Sequence, residues 1–276
     1  MTETIEKTDS EECRAKRTVS NLRVVSFGGG VNSTALLIGM QERGERPDAI
    51  LFADTGGEMP ATYKHISDVG VWCNQNGFPE PQLVRYHESR HGTLETECLN
   101  NETLPSKAFG FSGCSVKWKR QPMDRWLSAW EPAKAAWERG ELVQRLIGIH
   151  YGETRRGRIP NDERYAYVYP LREWKWAQEE CEAAHTRAGL RLPCKSACFF
   201  CPAMRKVEVI QLAKDHPDLF ERAVAIERNA IAAGSLETVR GLGRHWTWEA
   251  LVAADSKQQR LFEDNQSPLC DVCLDD

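Results

Sequence analysis

Two rhythms of apolar and polar positions run along this chain and take turns. Short apolar runs occur at 22–27, at Ala49-Ile50-Leu51-Phe52-Ala53, at Leu83-Val84-Arg85-Tyr86, at Leu146-Ile147-Gly148-Ile149 and at Tyr167-Val168-Tyr169-Pro170-Leu171. Apolar runs without strict alternation mark strands covered on both faces. Between them stand stretches with helical spacing. One covers 33–43, with Leu36, Leu37 and Met40 on one face and Gly44 at its end; another covers 61–75 after Pro60; a third covers 177–188. Trp126, Trp130 and Trp137 fall on a further Trp-rich helix, and helices are expected at 205–214, at 217–233 and, briefly, near Trp248. Strand, helix and strand within about 30 residues form a βαβ unit. The pattern predicts an α/β fold: an open, mostly parallel five-stranded sheet with helices on both faces. Residues 87–113 show no period and read as a lid or substrate loop.

The polar residues of interest follow the predicted strands. After the first strand comes Phe27-Gly28-Gly29-Gly30-Val31-Asn32-Ser33-Thr34. Glycines let a backbone approach an anion, and the unpaired amides of a helix N-terminus point at it. Asn32, Ser33 and Thr34 can cap the helix or donate to phosphate oxygens. The loop lacks the lysine of a Walker A motif and the spacing of the dinucleotide fingerprint. The second strand runs into Asp54-Thr55-Gly56-Gly57-Glu58-Met59-Pro60, and the fourth into His150-Tyr151-Gly152-Glu153-Thr154-Arg155-Arg156. Residues at the ends of parallel strands are where such sheets bind ligands.

Composition narrows the choice. The 276 residues are 41% hydrophobic and 28% charged, an ordinary globular mix, with a net charge of -4. The surface as a whole therefore does not attract nucleic acid, and such binding needs a local basic face. No apolar run is long enough for a membrane span, and the acidic start has no signal-peptide core, so a cytoplasmic protein is expected. Ten cysteines are many for a reducing compartment and point to metal or redox chemistry. Cys194, Cys198 and Cys201 crowd one loop between helices, and three thiols in eight residues suit ligation better than packing. The same spacing occurs in radical-SAM enzymes, but the upstream nucleotide loop argues against that reading. Cys270 and Cys273 are a second pair, either a redox couple, metal ligands or structural. Basic side chains cluster at Lys117, Lys119, Arg120 and Arg125 and again at Arg155, Arg156, Arg158 and Arg164; Trp118 and Trp126 among them are candidates for stacking on a base, although Trp at helical spacing is more often core.

The glycine loop resembles the pyrophosphate loop of the adenine-nucleotide α-hydrolase (PP-loop ATP pyrophosphatase) superfamily, and more narrowly its phosphoadenosine-phosphosulfate reductase-like branch. Gly28 stands for the usual Ser and Asn32 for the usual Asp. Residues 54–62 resemble the family's Asp-Thr-Gly-x-x-x-Pro-Glu-Thr. Residues 148–156 resemble its Gly-x-Arg-x-x-Glu-Ser-x-Arg, with His150 in place of the first Arg. Tyr169-Pro170-Leu171 with Trp174 resembles its Tyr-Pro-Leu-x-x-Trp. Cys114-Ser115 and Lys119 resemble the Cys-Cys-x-x-Arg-Lys of iron–sulfur adenylyl-sulfate reductases, with Ser115 replacing the second cysteine.

The resemblance implies bound ATP or a related adenine nucleotide, with Mg. Ser26, Gly28, Gly29, Gly30, Asn32, Ser33, Thr34, Asp54, Thr55, Gly148 and His150 would hold it, and Asp54, Lys119, Glu153 and Arg156 would act in catalysis. It also implies a [4Fe-4S] cluster, with zinc as the alternative, on Cys114, Cys194, Cys198 and Cys201. The domain plan is a flexible tail at 1–20, a nucleotide-binding α/β domain at 21–190 and a helical Cys-rich region at 191–276 packed on it. The expected activity is ATP pyrophosphatase chemistry that adenylylates an acceptor for sulfur insertion into DNA or tRNA, similar to the ATP pyrophosphatase of DNA phosphorothioation systems. Its partners would be a cysteine desulfurase or thioredoxin-like donor, and the chain is expected to be an oligomer. Two alternatives stand beside it: a sulfonucleotide reductase, against which the missing Glu-Cys-Gly-x-His tail counts, and a nucleotide-sensing subunit without catalysis.

Overall fold

The computed structural model describes residues 18–86, 91–154 and 156–264, with the side chains of 259–264 left aside. Most of the expected tail, Arg155, Cys270 and Cys273 lie outside the described residues. The chain folds as two compact units. The first comprises residues up to 53 with 60–84 and 123–196; the second comprises 54–59, 85–122 and 197 onward.

Five strands build the sheet: β1 (Val19–Ser26), β2 (Ala49–Asp54), β3 (Gln82–Arg85), β4 (Leu142–Ile147) and β5 (Tyr165–Val168). They are parallel in the order β3-β2-β1-β4-β5. In the first unit, side chains of successive strand residues leave on opposite faces. Val25, Phe27, Ile50, Phe52 and Leu146 pack under α1 (Val31–Glu42) and α2 (Pro60–Gln75). Val24, Leu51, Ala53 and Val143 face the other way, toward Leu127 and Ala136. The sheet is thus buried on both faces, which is why its strands read as apolar runs.

The helices follow in chain order: α3 (Leu94–Asn100), α4 (Gly113–Ser115), α5 (Gln121–Ala129), α6 (Glu131–Glu138), α7 (Pro170–Glu173), α8 (Gln178–Arg187), α9 (Lys206–Asp215), α10 (Pro217–Ala232) and α11 (Trp248–Asp264). Between α4 and α5, Val116–Arg120 forms a π-turn. Three expectations change here. The Trp-rich helix is two helices, because Trp130 is extended (ψ 118°) and Pro132 starts a new first turn. The stretch at 87–113 contains a helix of its own, α3, whose first turn is capped by the Thr93 hydroxyl accepting from the Thr96 amide at 3.1 Å. The helix at Trp248 extends for 17 residues.

In the second unit, α3, α9 and α10 bury Leu94, Val209, Leu212, Leu219 and Ile226 around Trp118, Phe199, Phe200 and Trp248. Glu227 is buried there and accepts the amides of Leu242 (2.7 Å) and Trp248 (2.9 Å), so its carboxylate caps the start of α11.

Candidate functional site

Within the first unit, the glycine loop is fixed by its neighbours on every side. β1 is the middle strand, and chain connections leave it toward β2 on one side while β4 returns on the other. Crevices open at such reversals of strand order. The register sets Ser26 beside Ile147, so the residues after β1 meet the residue after β4, Gly148. A Cβ on Gly148 would lie 2.7 Å from Ser33 Cα and 2.8 Å from the Asn32 carbonyl oxygen. The backbone there leaves no space for any side chain. Gly29 has φ +68°, and a Cβ would press on Phe52 and Thr62. Ser196 donates its hydroxyl to the Gly28 carbonyl at 2.6 Å.

The first helical bond of α1 runs from the Thr34 amide to the Gly30 carbonyl at 3.1 Å. The amides of Val31, Asn32 and Ser33 precede it and have no carbonyl within the helix to bond. Ser33 Oγ accepts from the Gly30 amide (3.2 Å) and donates to the Gly30 carbonyl (3.1 Å), closing the turn locally. Asn32 Oδ1 is buried without a hydrogen-bond partner. Thr34 is fully buried, and its hydroxyl lies 2.8 Å from His65 Nε2. Ser26 Oγ is 3.4 Å from Arg145 Nη2; the Arg145 guanidinium is buried on β4 and ion-paired with Asp124.

The loop after β4 is also tied down. His150 is half-buried, and its Nδ1 accepts the Gly152 amide at 3.2 Å. Glu153 and Arg156 are 3.6 Å apart, and Arg172 donates to both their carbonyls. Arg156 is 61% exposed, a cation held at the surface of this loop.

The second unit holds a different constellation. Asp54 is buried; its Oδ1 accepts the Gly56 amide (2.8 Å), and its Oδ2 accepts both Arg85 Nε (2.9 Å) and Nη2 (2.7 Å). At the next residue, Thr55 Oγ1 sits 3.3 Å from Glu58 Oε1 and 3.1 Å from Cys198 Sγ. Lys119 Nζ donates to the same Glu58 oxygen at 3.1 Å. Glu58 Oε2 is buried without a hydrogen-bond partner. The backbone sets this up: Phe199 N donates to Gly57 O and Met59 N to Ala197 O, so Glu58 and Cys198 face each other across a short antiparallel bridge.

Charge in this group is balanced by the Lys119–Glu58 ion pair. Burial lowers the affinity of Lys119 for its proton, but Glu58, Cys198 and Cys201 outweigh it and hold the ammonium above its ordinary value. Burial and then Glu58 push the Cys198 thiol well up, against the smaller opposing pulls of Lys119 and Thr55. Cys198 is thus held as a thiol, hydrogen-bonded and inert as placed.

Among the expected ligands, Cys114, Cys198 and Cys201 belong to the second unit and pack on its apolar core, whereas Cys194 is exposed on the first. Cys98 joins that core, close enough to Cys114 for their charges to interact; burial first, and then Glu97, push its thiol up to about 12. Among the described residues, no three His, Cys, Asp or Glu side chains are grouped to hold a metal. The described side chains therefore do not supply a finished ligand set.

The basic residues near the thiols are spoken for. Lys117 pairs with Glu97 at 2.8 Å and Lys119 with Glu58. Trp118 is 1% exposed and packs edge-on against Tyr86, so it is a core residue and offers no face for a base. Trp126 is half-buried against Trp130. Sequence reasoning left Glu58, His65 and His185 out of the site. Glu58 lies inside a quoted motif, which was the available signal; its pairing with Lys119, 61 residues on, shows only in the fold. No protein-family model matches the chain, and no curated protein shows significant similarity to it.

Proposed function

We propose that this chain binds ATP at the glycine loop and splits it to pyrophosphate and an adenylylated acceptor, the activating step for sulfur insertion into DNA or tRNA. The observation that carries the proposal is the close-packed junction of Gly28–Gly30, the first turn of α1 and Gly148 at the reversal of strand order. It joins a glycine-rich turn to the first-turn amides of a 12-residue helix. Its glycines serve backbone approach, as expected for a polyphosphate. The buried Asn32 Oδ1 supports the same reading, because an orphaned acceptor of this kind calls for a ligand donor or cation.

In this reading the β- and γ-phosphates sit on the loop amides. An acceptor oxygen attacks the α-phosphorus, its bond to phosphorus forms as the bond to the bridging oxygen breaks, and pyrophosphate leaves. The amides stabilise charge that grows on the leaving group. Arg156 supplies a further cation, oriented by Glu153 and by the Arg172 clamp on their carbonyls. Magnesium bound with the nucleotide would supply neutralisation of phosphate charge. A sulfur nucleophile then displaces AMP from the acceptor. Metal analysis of anaerobically purified protein tests the iron–sulfur or zinc site that the sequence resemblance implies.

The test is release of labelled pyrophosphate from ATP with candidate DNA and tRNA acceptors. Release that depends on the acceptor supports the proposal. Nucleotide binding without release for any acceptor favours a sensing subunit instead.

A further inference from the structure

Two buried histidines grip the first turn of α1 from behind, and nothing in the nucleotide reading uses them. His65 comes from α2 and His185 from α8; they are 6% and 0% exposed. Their rings lie 6.0 Å apart and nearly parallel, 23° between planes. His65 Nε2 meets the Thr34 hydroxyl at 2.8 Å, and His185 Nε2 meets the Val31 carbonyl at 3.0 Å. Val31 and Thr34 are the first and fourth residues of the helix whose amides form the anion cradle.

The chemistry of the contacts fixes proton positions. A carbonyl oxygen only accepts, so the proton of His185 sits on Nε2. Its Nδ1 is buried with no hydrogen-bond partner. The groups facing His65 are the Thr34 hydroxyl from α1, the imidazole of His185 from α8 and, along α2, Asp68, which is itself paired with Lys64. Burial, and then the neighbouring His185, keep His65 neutral down to about pH 4, with Asp68 opposing.

We infer that His65 and His185 are positioning residues for the anion cradle: each uses Nε2 to anchor one residue of the first turn of α1, so that its amides are held in place before ligand arrives. The inference rests on the glycine loop being an anion site, and it names how that site is pre-organised. A cradle of amides gains from being fixed in advance, because the ligand then does not have to order it. Helix ends fray by default, and the first turn is the segment with fewest helical bonds of its own.

The test replaces each histidine in the full chain by Gln, which keeps an amide within reach of the same partner, and by Leu, which keeps bulk without it. A fifth variant, Thr34→Val, removes the hydroxyl and keeps the shape. Two readouts are taken at pH 7: amide hydrogen exchange at residues 31–35 without ligand, and affinity for inorganic pyrophosphate. The inference expects first-turn exchange to rise about tenfold in His65→Leu, His185→Leu and Thr34→Val, with β4 amides unchanged. It expects pyrophosphate affinity to fall about tenfold in the same variants and to stay within about threefold of wild type in the Gln variants. First-turn exchange at the wild-type rate in the Leu and Val variants overturns it, as does equal loss in Gln and Leu, which is what packing alone predicts. If a Leu variant does not fold, Thr34→Val and the Gln variants decide. Failure of the wild type to bind pyrophosphate refutes the anion-site reading, while the exchange arm still judges the histidines.

Discussion

The glycine-loop region and the thiol region solve opposite problems. In the first unit, the groups at the loop are backbone groups and uncharged hydroxyls with two histidines behind them, each held by a fixed partner: Ser196 on Gly28, Ser33 on Gly30, His65 on Thr34, His185 on Val31. In the second unit, an ammonium, a carboxylate and a thiol share one buried spot, and one Glu58 oxygen goes unsatisfied. In the proposed reading the first receives charge from outside. The second already contains charge and balances it internally. The contrast teaches where each is vulnerable: the loop to steric intrusion and loss of positioning, the thiol region to loss of either member of its ion pair.

The largest effect should come from Gly148→Ala. Its new Cβ meets backbone, which cannot rotate away. We expect a stability loss of about 1–3 kcal/mol by denaturant titration and ATP affinity reduced at least about tenfold. A variant with wild-type affinity would mean that the junction with Ser33 does not define the cradle.

Next in size is Lys119→Met, which leaves the Glu58 carboxylate buried and uncompensated. The expected cost is about 1–3 kcal/mol, reduced by the partial exposure of the lysine. Adding Glu58→Gln should return most of it. If the double variant is as unstable as the single, the two residues are not coupled, and the account of the second region fails.

The pH dependence of stability separates the regions further. His65 takes up its proton near pH 6.5 when unfolded and only at about pH 4 when folded. Its contribution is therefore complete above pH 6.5 and is lost as pH falls toward 4. His65→Gln should flatten the stability profile in that window, measured by thermal melts. An unchanged slope would show that His65 is not held neutral.

The smallest effect concerns the thiols themselves. Cys194 is exposed and Cys198 is buried, so a thiol reagent should modify Cys194 rapidly in metal-free protein and Cys198 only on unfolding. Cys194→Ser should remove a fast phase and leave the melting temperature within about one degree. Slow modification of Cys194 would place it in a protected ligand set after all.

How much of this was legible in the sequence depends on the range of the interaction. The strands, the sheet class and the glycine turn are local: an apolar run, a positive φ at Gly29 and the Ser33–Gly30 closure all lie within a few residues. Gly148 stood out as a motif residue, but only the register with β1 shows that its lack of a side chain is what matters. His65 and His185 were invisible, since one histidine on each of two helices gives no sign that both converge on α1. For Trp118 the sequence left base stacking and core packing both open, and the contact with Tyr86, 32 residues earlier, puts it in the core. Pro132 ended the Trp-rich helix early, a local signal outweighed by the spacing of the tryptophans.

The most direct test of the central claim is calorimetric titration of ATP into the wild-type chain and into Gly148→Ala, with pyrophosphate as competitor. The account predicts saturable binding by the wild type, displacement by pyrophosphate, and strong weakening in the variant. Absence of ATP binding, or binding that pyrophosphate does not displace, would contradict it.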